Sequence, residues 1–289
     1  QIMFALVMAS VMFVMIPRAA VSAKRINEVL EMTPTMTDEG TQTADREKGT
    51  LVFDRVTFRY PGAETPVLSD ISFTARPGEV TAVIGGTGSG KSTLVNLIPR
   101  FYDVTEGSIR VNGVNSQDVP QEELRSKIGF VPQKALLFTG TIAENIRFGK
   151  EDATDEEVAH AAHIAQATDF IERMPDGYDA RIEQGGSNVS GGQKQRLSIA
   201  RALVRRPDLY VFDDSFSALD FKTDAALRKA LREETREATV LIVAQRVSTV
   251  IDADQIIVLD EGKVAGIGTH DELFANNAVY QEIVKSQLS

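Results

Sequence analysis

The chain has 289 residues, 43% hydrophobic and 25% charged, which is enough apolar content for one large core or a domain with a smaller companion and too much for a disordered chain. Acidic residues outnumber basic ones 41 to 31, a net charge of −10 that argues against a nucleic-acid-binding surface but not against a local nucleotide site. The absence of cysteine excludes a disulfide scaffold, thiol catalysis and cysteine-ligated metals.

The first predicted element is the uncharged run Gln1–Ile16, QIMFALVMASVMFVMI. As a helix it spans about 24 Å at ~1.5 Å per residue, short of the ~30 Å hydrocarbon core of a bilayer. It lacks the basic lead-in of a signal peptide. It reads as the last part of a transmembrane helix whose beginning is missing, with a buried soluble helix as the competing reading. Arg18, Lys24 and Arg25 follow the apolar block, as for a helix leaving the membrane on the cytoplasmic side. An amphipathic pattern after Pro17 extends the predicted helix to about Met32. Residues 1–33 are thus assigned to the helix end and its extension, 34–50 to a linker rich in Thr, Asp, Glu and Gly, and 51–289 to the main domain.

That domain is predicted as α/β. Val52–Tyr60 alternates in polarity and breaks at Pro61-Gly62; Ile71–Ala75 and Val80–Ile84 are further strands, so an antiparallel sheet comes first. A glycine-rich loop and a helix follow, then a strand, Ser108–Val111, turned by Asn112-Gly113, and a buried strand, Ile128–Val131, ending at Pro132-Gln133. Residues 134–206 read as a helical lobe, with helices over Thr141–Phe148, Asp155–Ala167 and onward from about Ser190, and no strong strand among them. Strands return at Leu209–Phe212, Thr239–Val243, Gln255–Leu259 and Lys263–Ile267. Thr269 and Glu272 form a capping box that opens a last pair of helices. This pattern predicts a parallel-sheet core of the phosphate-loop type carrying an antiparallel β subdomain and a separate helical subdomain.

Two stretches carry chemistry. Gly85, Gly86, Thr87, Gly88, Ser89, Gly90, Lys91 and Ser92 link a buried strand to a helix that continues through Thr93. Glycines let the backbone wrap with its N–H groups inward, the helix N-terminus adds positive potential, Lys91 reaches outer phosphates and the Ser92 hydroxyl can ligate Mg²⁺. An ordinary glycine-rich turn would not need lysine, hydroxyl and strand–helix context together. The second stretch is the strand Leu209–Phe212, which ends in Asp213-Asp214. In a phosphate-loop fold a carboxylate at such a strand tip lies beside the loop and holds Mg²⁺.

Between them Val189–Gln193 reads VSGGQ and continues KQRLSIARAL. Here the chain resembles the ATP-binding cassette of membrane transporters, whose signature is LSGGQ at a helix start; a glycine-containing helix cap is the plainer alternative. The resemblance implies ATP and Mg²⁺ as cofactors, with Mg²⁺ held by Ser92, Gln133 and Asp213. It implies that Ser190, Gly191, Gly192 and Gln193 contact the γ-phosphate of ATP held by the other cassette of a head-to-tail dimer. Tyr60 matches the aromatic on which adenine stacks, with a core tyrosine as competitor. Gln133 matches the glutamine that senses Mg²⁺ and the attacking water, and Ser217, Ala218, Leu219 and Asp220 match the loop through which two cassettes communicate. The order of membrane helix, linker and cassette is similar to that of exporter-type half-transporters. It implies missing transmembrane helices, a lipid bilayer as surroundings and a multi-pass protein of the cell membrane with its cassette in the cytoplasm.

Three positions depart from the family pattern. Asp214 stands where hydrolysing members have glutamate, Gln245 in VAQR stands where they have the switch histidine, and Gln184 stands where exporters often have glutamate. Shortening the carboxylate by a methylene withdraws it by about 1–1.5 Å, and ~1 Å of misplacement can cost about a hundredfold in rate. A glutamine amide donates a hydrogen bond but cannot be protonated to meet growing charge. Nothing in the sequence explains Gln184. With Asp214, Gln245 and Gln133 as the catalytic positions, the expectation is a slowly hydrolysing site that completes a heterodimer with a non-identical half-transporter bearing Glu and His. The alternatives are a homodimer hydrolysing slowly through Asp214, an exporter-fold importer, or a regulatory nucleotide-binding module. His160 and His163 lie one helical turn apart without a third metal ligand and read as a solvated helix face; His270 reads as structural.

Overall fold

A computed structural model describes residues 1–34 and 36–288, in two compact units, 1–37 and 38–289. In the first unit, α1 (Ile2–Leu30) runs continuously through Pro17, with no residue buried. It is long and apolar enough to cross a membrane.

The second unit begins before the first predicted strand. Residues 38–50, expected as a linker, lie along the domain: the amides of Thr41 and Gln42 both donate to the Asp118 carbonyl at 2.9 Å, and Ala44 is fully buried. The anchor is Asn112, whose side chain accepts from the Gly49 amide at 2.7 Å and donates to the Ala44 carbonyl at 3.0 Å and to Asp208 at 2.8 Å. Composition marked this stretch as polar; long-range backbone pairing holds it.

In chain order there follow β1 (Leu51–Phe58), β2 (Leu68–Ala75), β3 (Val80–Gly85), α2 (Lys91–Leu97), β4 (Glu106–Val111) and β5 (Val114–Asn115). Next come α3 (Gln121–Ser126), β6 (Ile128–Val131), β7 (Gly140–Thr141), α4 (Ile142–Arg147), α5 (Asp155–Ile164), α6 (Thr168–Ile171), β8 (Arg181–Ile182) and α7 (Gly191–Leu203). The chain ends with β9 (Leu209–Asp213), α8 (Phe221–Glu234), β10 (Thr239–Val243), α9 (Val247–Val250), β11 (Gln255–Asp260), β12 (Lys263–Gly268), α10 (His270–Asn276) and α11 (Ala278–Leu288).

An antiparallel sheet, β2-β1-β4-β5, packs on a six-stranded sheet ordered β12-β11-β3-β10-β9-β6 whose pairs are parallel except at β12. The strand from Val80, grouped by its neighbours in sequence with the antiparallel sheet, instead sits inside the parallel one. Alternation explains the double burial. Val83, Leu241, Val243 and Val211 face the core shared with α2 and the antiparallel sheet, whereas Ala82, Ile84, Ile242 and Phe212 face the core shared with the helices on the opposite side. The β4–β5 turn at Asn112-Gly113 has φ of 52° and 78°, the pair of positive values a two-residue hairpin needs.

The helical lobe contains one small interruption, the β7–β8 pair. The helix predicted over Asp155–Ala167 stops at Ile164, because Gln166 turns left-handed at φ 57°, and restarts as α6. Arg201 of α7 ties the lobe together, donating at 2.9 Å to the Asn145 and Leu136 carbonyls and to Asn145 Oδ1; burial pulls its pKa down to about 10.

Candidate nucleotide site

Parallel strands in register bring their carboxyl ends to one edge. Val243 pairs with both Val83 and Asp213, and Val131 pairs with Phe212. The glycine loop, Gln245, Asp213-Asp214 and Gln133 all leave from this edge, the usual ligand side of an open α/β sheet.

The loop's shape is set by close packing on one side and open space on the other. A Cβ on Gly85 would come within 2.2 Å of the Leu259 carbonyl oxygen. Gly90 adopts φ +99°, and a Cβ there would meet Leu68 at 2.7 Å. Nothing lies within 4 Å of the Cβ positions of Gly86 and Gly88. Gly90 caps α2 without any side-chain hydrogen bond, so the first-turn amides are left to an anion. Lys91 is 9% exposed and folds back over the loop, its Nζ donating to the carbonyls of Gly85 (2.8 Å) and Gly86 (2.7 Å) and to Ser89 Oγ (3.4 Å). Burial lowers its pKa, and the charges of Asp214 and Asp213 pull it back up.

Ser92 Oγ donates to Asp213 Oδ1 at 3.2 Å. Burial raises the Asp213 pKa; the Ser92 hydrogen bond opposes this, and the neighbouring Asp214 adds to it. Among the described residues no group of three or more His, Cys, Asp or Glu could hold a metal. The expected donors, the Ser92 hydroxyl, the Gln133 amide oxygen and the Asp213 carboxylate, are hard oxygens that would suit Mg²⁺ completed by phosphate and water oxygens.

Asp214 lies just past the strand in a left-handed turn, φ 46°. That turn is held by its amide to the Val243 carbonyl at 3.0 Å and by Ser217 Oγ to its own carbonyl at 2.9 Å. Burial raises its pKa, opposed by hydrogen bonds from Gln133 and Ser217. Its Oδ2 accepts two amides, Gln245 Nε2 at 2.8 Å and Gln133 Nε2 at 3.2 Å. Ser215 was missed by sequence reasoning. Its buried hydroxyl donates to the Val131 and Asp213 carbonyls at 3.0 and 3.3 Å, stitching the tips of β6 and β9, and no local pattern announces such a contact.

Tyr60 lies beyond β1, edge-on to Phe58 and Tyr102 at 4.8 and 5.3 Å between ring centres, its hydroxyl 3.1 Å from Thr93 Oγ1 in α2. Phe58 and Tyr102 complete an aromatic group from which the sequence singled out one ring.

The second glycine stretch stands apart. Ser190 caps α7 through a reciprocal box with Gln193: Ser190 N donates to Gln193 Oε1 at 2.8 Å and Gln193 N to Ser190 Oγ at 3.2 Å. Ser190 and Gly191 are exposed, and a Cβ on Gly192 would lie 3.2 Å from the Ala218 carbonyl. Leu219 packs beside it, and Asp220 caps α8 through the Thr223 amide at 3.0 Å. Among the described residues no hydrogen bond joins Ser190–Gln193 to the Lys91–Asp214 web. Of the histidines, His160 Nε2 lies 3.1 Å from Glu234, and His270 Nδ1 lies 2.8 Å from the Tyr280 hydroxyl.

Comparison with known proteins agrees with this geometry. An uncharacterized ABC transporter ATP-binding protein of Mycobacterium tuberculosis is 48% identical over 292 residues, covering 99% of this chain and 50% of its own. A Staphylococcus aureus ATP-binding/permease protein, provisionally named for multidrug export, is 44% identical over 248 residues, covering 86% of this chain and 43% of its own. The structure of a bacterial Atm1-family ABC exporter with ATP bound superposes with a TM-score of 0.88 at 34% identity, covering 98% of this chain and 50% of that one. The chain therefore spans about half the length of the relatives it matches. Residues 68–217, which hold the glycine loop, Gln133, the capped signature and Asp213-Asp214, match the family described as ABC transporter, and the chain belongs to that family.

Proposed function

We propose that this chain is the ATP-binding half of an exporter subunit, that it holds Mg-ATP at its own loop and hydrolyses it slowly, and that it lends Ser190–Gln193 to the site of a non-identical partner. The observation that carries the reading is the double amide grip on Asp214 Oδ2 by Gln245 and Gln133. A base must reach the attacking water and take its proton. Here the short carboxylate is drawn toward two donors, and neither amide can itself accept that proton and become a stabilising cation. The phosphate grip is complete by contrast: glycine amides, Lys91 and the uncapped start of α2 supply the donors, with Ser92 and Asp213 as oxygen ligands.

In this reading bound Mg²⁺ supplies charge neutralisation of the phosphates. The chain's own residues do the rest. Lys91 leaves the loop carbonyls for the phosphates, Tyr60 offers its ring to adenine, and Gln133 and Gln245 hold Asp214 in place. Two ATP molecules close the paired cassettes, and hydrolysis at the partner's Glu and His reopens them, moving the membrane helices. The exporter direction is supported by the Atm1-family neighbour and the multidrug-export name of the S. aureus relative.

The test is the full-length protein paired with a companion whose own hydrolytic glutamate has been removed. Asp214→Glu with Gln245→His is expected to raise ATP turnover by about a hundredfold, the size of effect a ~1 Å correction of a catalytic group produces. No gain would overturn the slow-site reading. Isolation of a symmetric pair with rapid turnover at both sites would overturn the unequal partner and favour the homodimer.

A further inference from the structure

The loop that carries Gln245 is held from a distant part of the chain. Gln287, in the last turn of α11, sends both ends of its amide to the backbone flanking Arg246: Nε2 donates to the Gln245 carbonyl at 2.6 Å, and Oε1 accepts from the Val247 amide at 2.8 Å. One planar group thus pairs with the chain as a neighbouring strand would. A flipped amide would set donor against donor and acceptor against acceptor, so the network fixes its orientation.

The contact fills a need. α9 begins at Val247, and its cap residue, Arg246, makes no side-chain capping bond. Val247 is buried, and its amide, one of the donors at a helix start that has no partner within the helix, needs an acceptor from elsewhere in the chain. Gln287 provides it. The helix bearing Gln287 is well anchored, because Tyr280, Val284 and Gln287 recur at helical spacing on one face. Tyr280 is fully buried and bonded to His270, and Val284 belongs to the same core cluster as Val247 and Val250. From the other end of the loop, the Gln245 side chain reaches Asp214 Oδ2.

We infer that Gln287 is a positioning residue for the nucleotide site: α11 fixes the 245–247 backbone, this fixes the Gln245 amide on Asp214, and the pair sets how long ATP stays. This rests on the proposed role of Gln245 at the chain's own site.

The experiment measures release of labelled ATP and steady-state kinetics of the full-length protein with its companion in lipid nanodiscs. Gln287→Ala is expected to speed release from this chain's own site by about 3–10-fold, the worth of one ordinary hydrogen bond, and to weaken ATP binding there by the same factor, while half-saturation of steady-state turnover, set at the companion's site, changes little. Gln287→Glu keeps the acceptor for Val247 but sets a carboxylate oxygen against the Gln245 carbonyl; it is expected to speed release at least as much as Ala, and it retains the bond to the start of α9 should Ala unfold the C-terminus. In a Gln245→Ala background, Gln287→Ala is expected to add nothing. If Gln245→Ala speeds release and neither Gln287 variant does, the inference fails alone. Should Gln287→Ala add its full effect on top of Gln245→Ala, Gln287 acts through the fold and the inference is again overturned. If Gln245→Ala leaves release unchanged, Gln245 does not set the residence of ATP and the inference falls, while the role of Gln245 in slow turnover is decided by Asp214→Glu with Gln245→His.

Discussion

The chain contains two glycine-bearing helix starts, and they are built in opposite ways. α2 begins at an uncapped left-handed Gly90, with a buried lysine folded over the loop behind it. α7 begins at an exposed Ser190 that satisfies its own amide and that of Gln193 through a reciprocal box, and its neighbouring cations are tied to backbone carbonyls, Lys194 to Gly185 and Arg196 to Gly192 and Gln166. The first start has unmet donors and a positive charge, and it grips. The second is a finished, stable cap with an open face at Gly191, suited to being presented to something that arrives. Helix-terminus electrostatics are common to both; what separates them is whether the chain has already spent its local hydrogen-bonding capacity.

The largest test of that contrast is Lys91→Met. Removing the only ammonium in the loop is expected to weaken ATP binding at this chain's own site by about a hundredfold or more, the value of two charge-assisted hydrogen bonds, and to leave Ser190–Gln193 folded. Equilibrium nucleotide binding checks it; binding within a few-fold of wild type would erase the distinction between the two starts.

Gly90→Ala is expected to cost about 1–3 kcal/mol of stability in denaturant melts, since φ is +99° and the new methyl would press on Leu68 at 2.7 Å. The comparable change at the second start, Ser190→Ala, removes a cap and is expected to cost about 1 kcal/mol. Nucleotide binding at the chain's own loop should be untouched, and turnover in the assembled transporter should fall. A loss of own-site binding in Ser190→Ala would show that the two starts serve one site within a single chain.

The smallest effect is expected at Gly191→Ala. Space around it is open, and alanine is the better helix former, so melts should shift by less than about 1 kcal/mol and toward stability. Turnover should nonetheless drop if the open face receives a phosphate. A fully active Gly191→Ala transporter would indicate that the face is ordinary surface.

Much of the fold was legible because its signals are local. The strand Thr239–Val243 appeared as read, the hairpin at Asn112-Gly113 formed with two positive φ values, and the Thr269–Glu272 box caps α10. Less legible were features set by residues far apart. Val80–Gly85 follows two antiparallel strands in sequence, yet it pairs with β10 and β11, elements that come more than a hundred residues later. The polar composition of 38–50 gave no sign that Asn112 and Asp118 would hold it. Gln166 ended a helix whose apolar period continued past it.

The sequence by itself determined that a glycine-rich loop joins a buried strand to the helix at Lys91, that a helix starts near Ser190 and that a buried strand ends in Asp213-Asp214. Each is written in residues a few positions apart, where backbone geometry and side-chain reach are short-range. Only the tertiary structure decided that Gln133, Asp214 and Gln245 share one carboxylate oxygen, that Ser215 locks two strand tips together and that Gln287 clamps the Gln245 loop. Those contacts depend on which parallel strands become neighbours and on where the last helix docks, and burial across the whole chain fixes both.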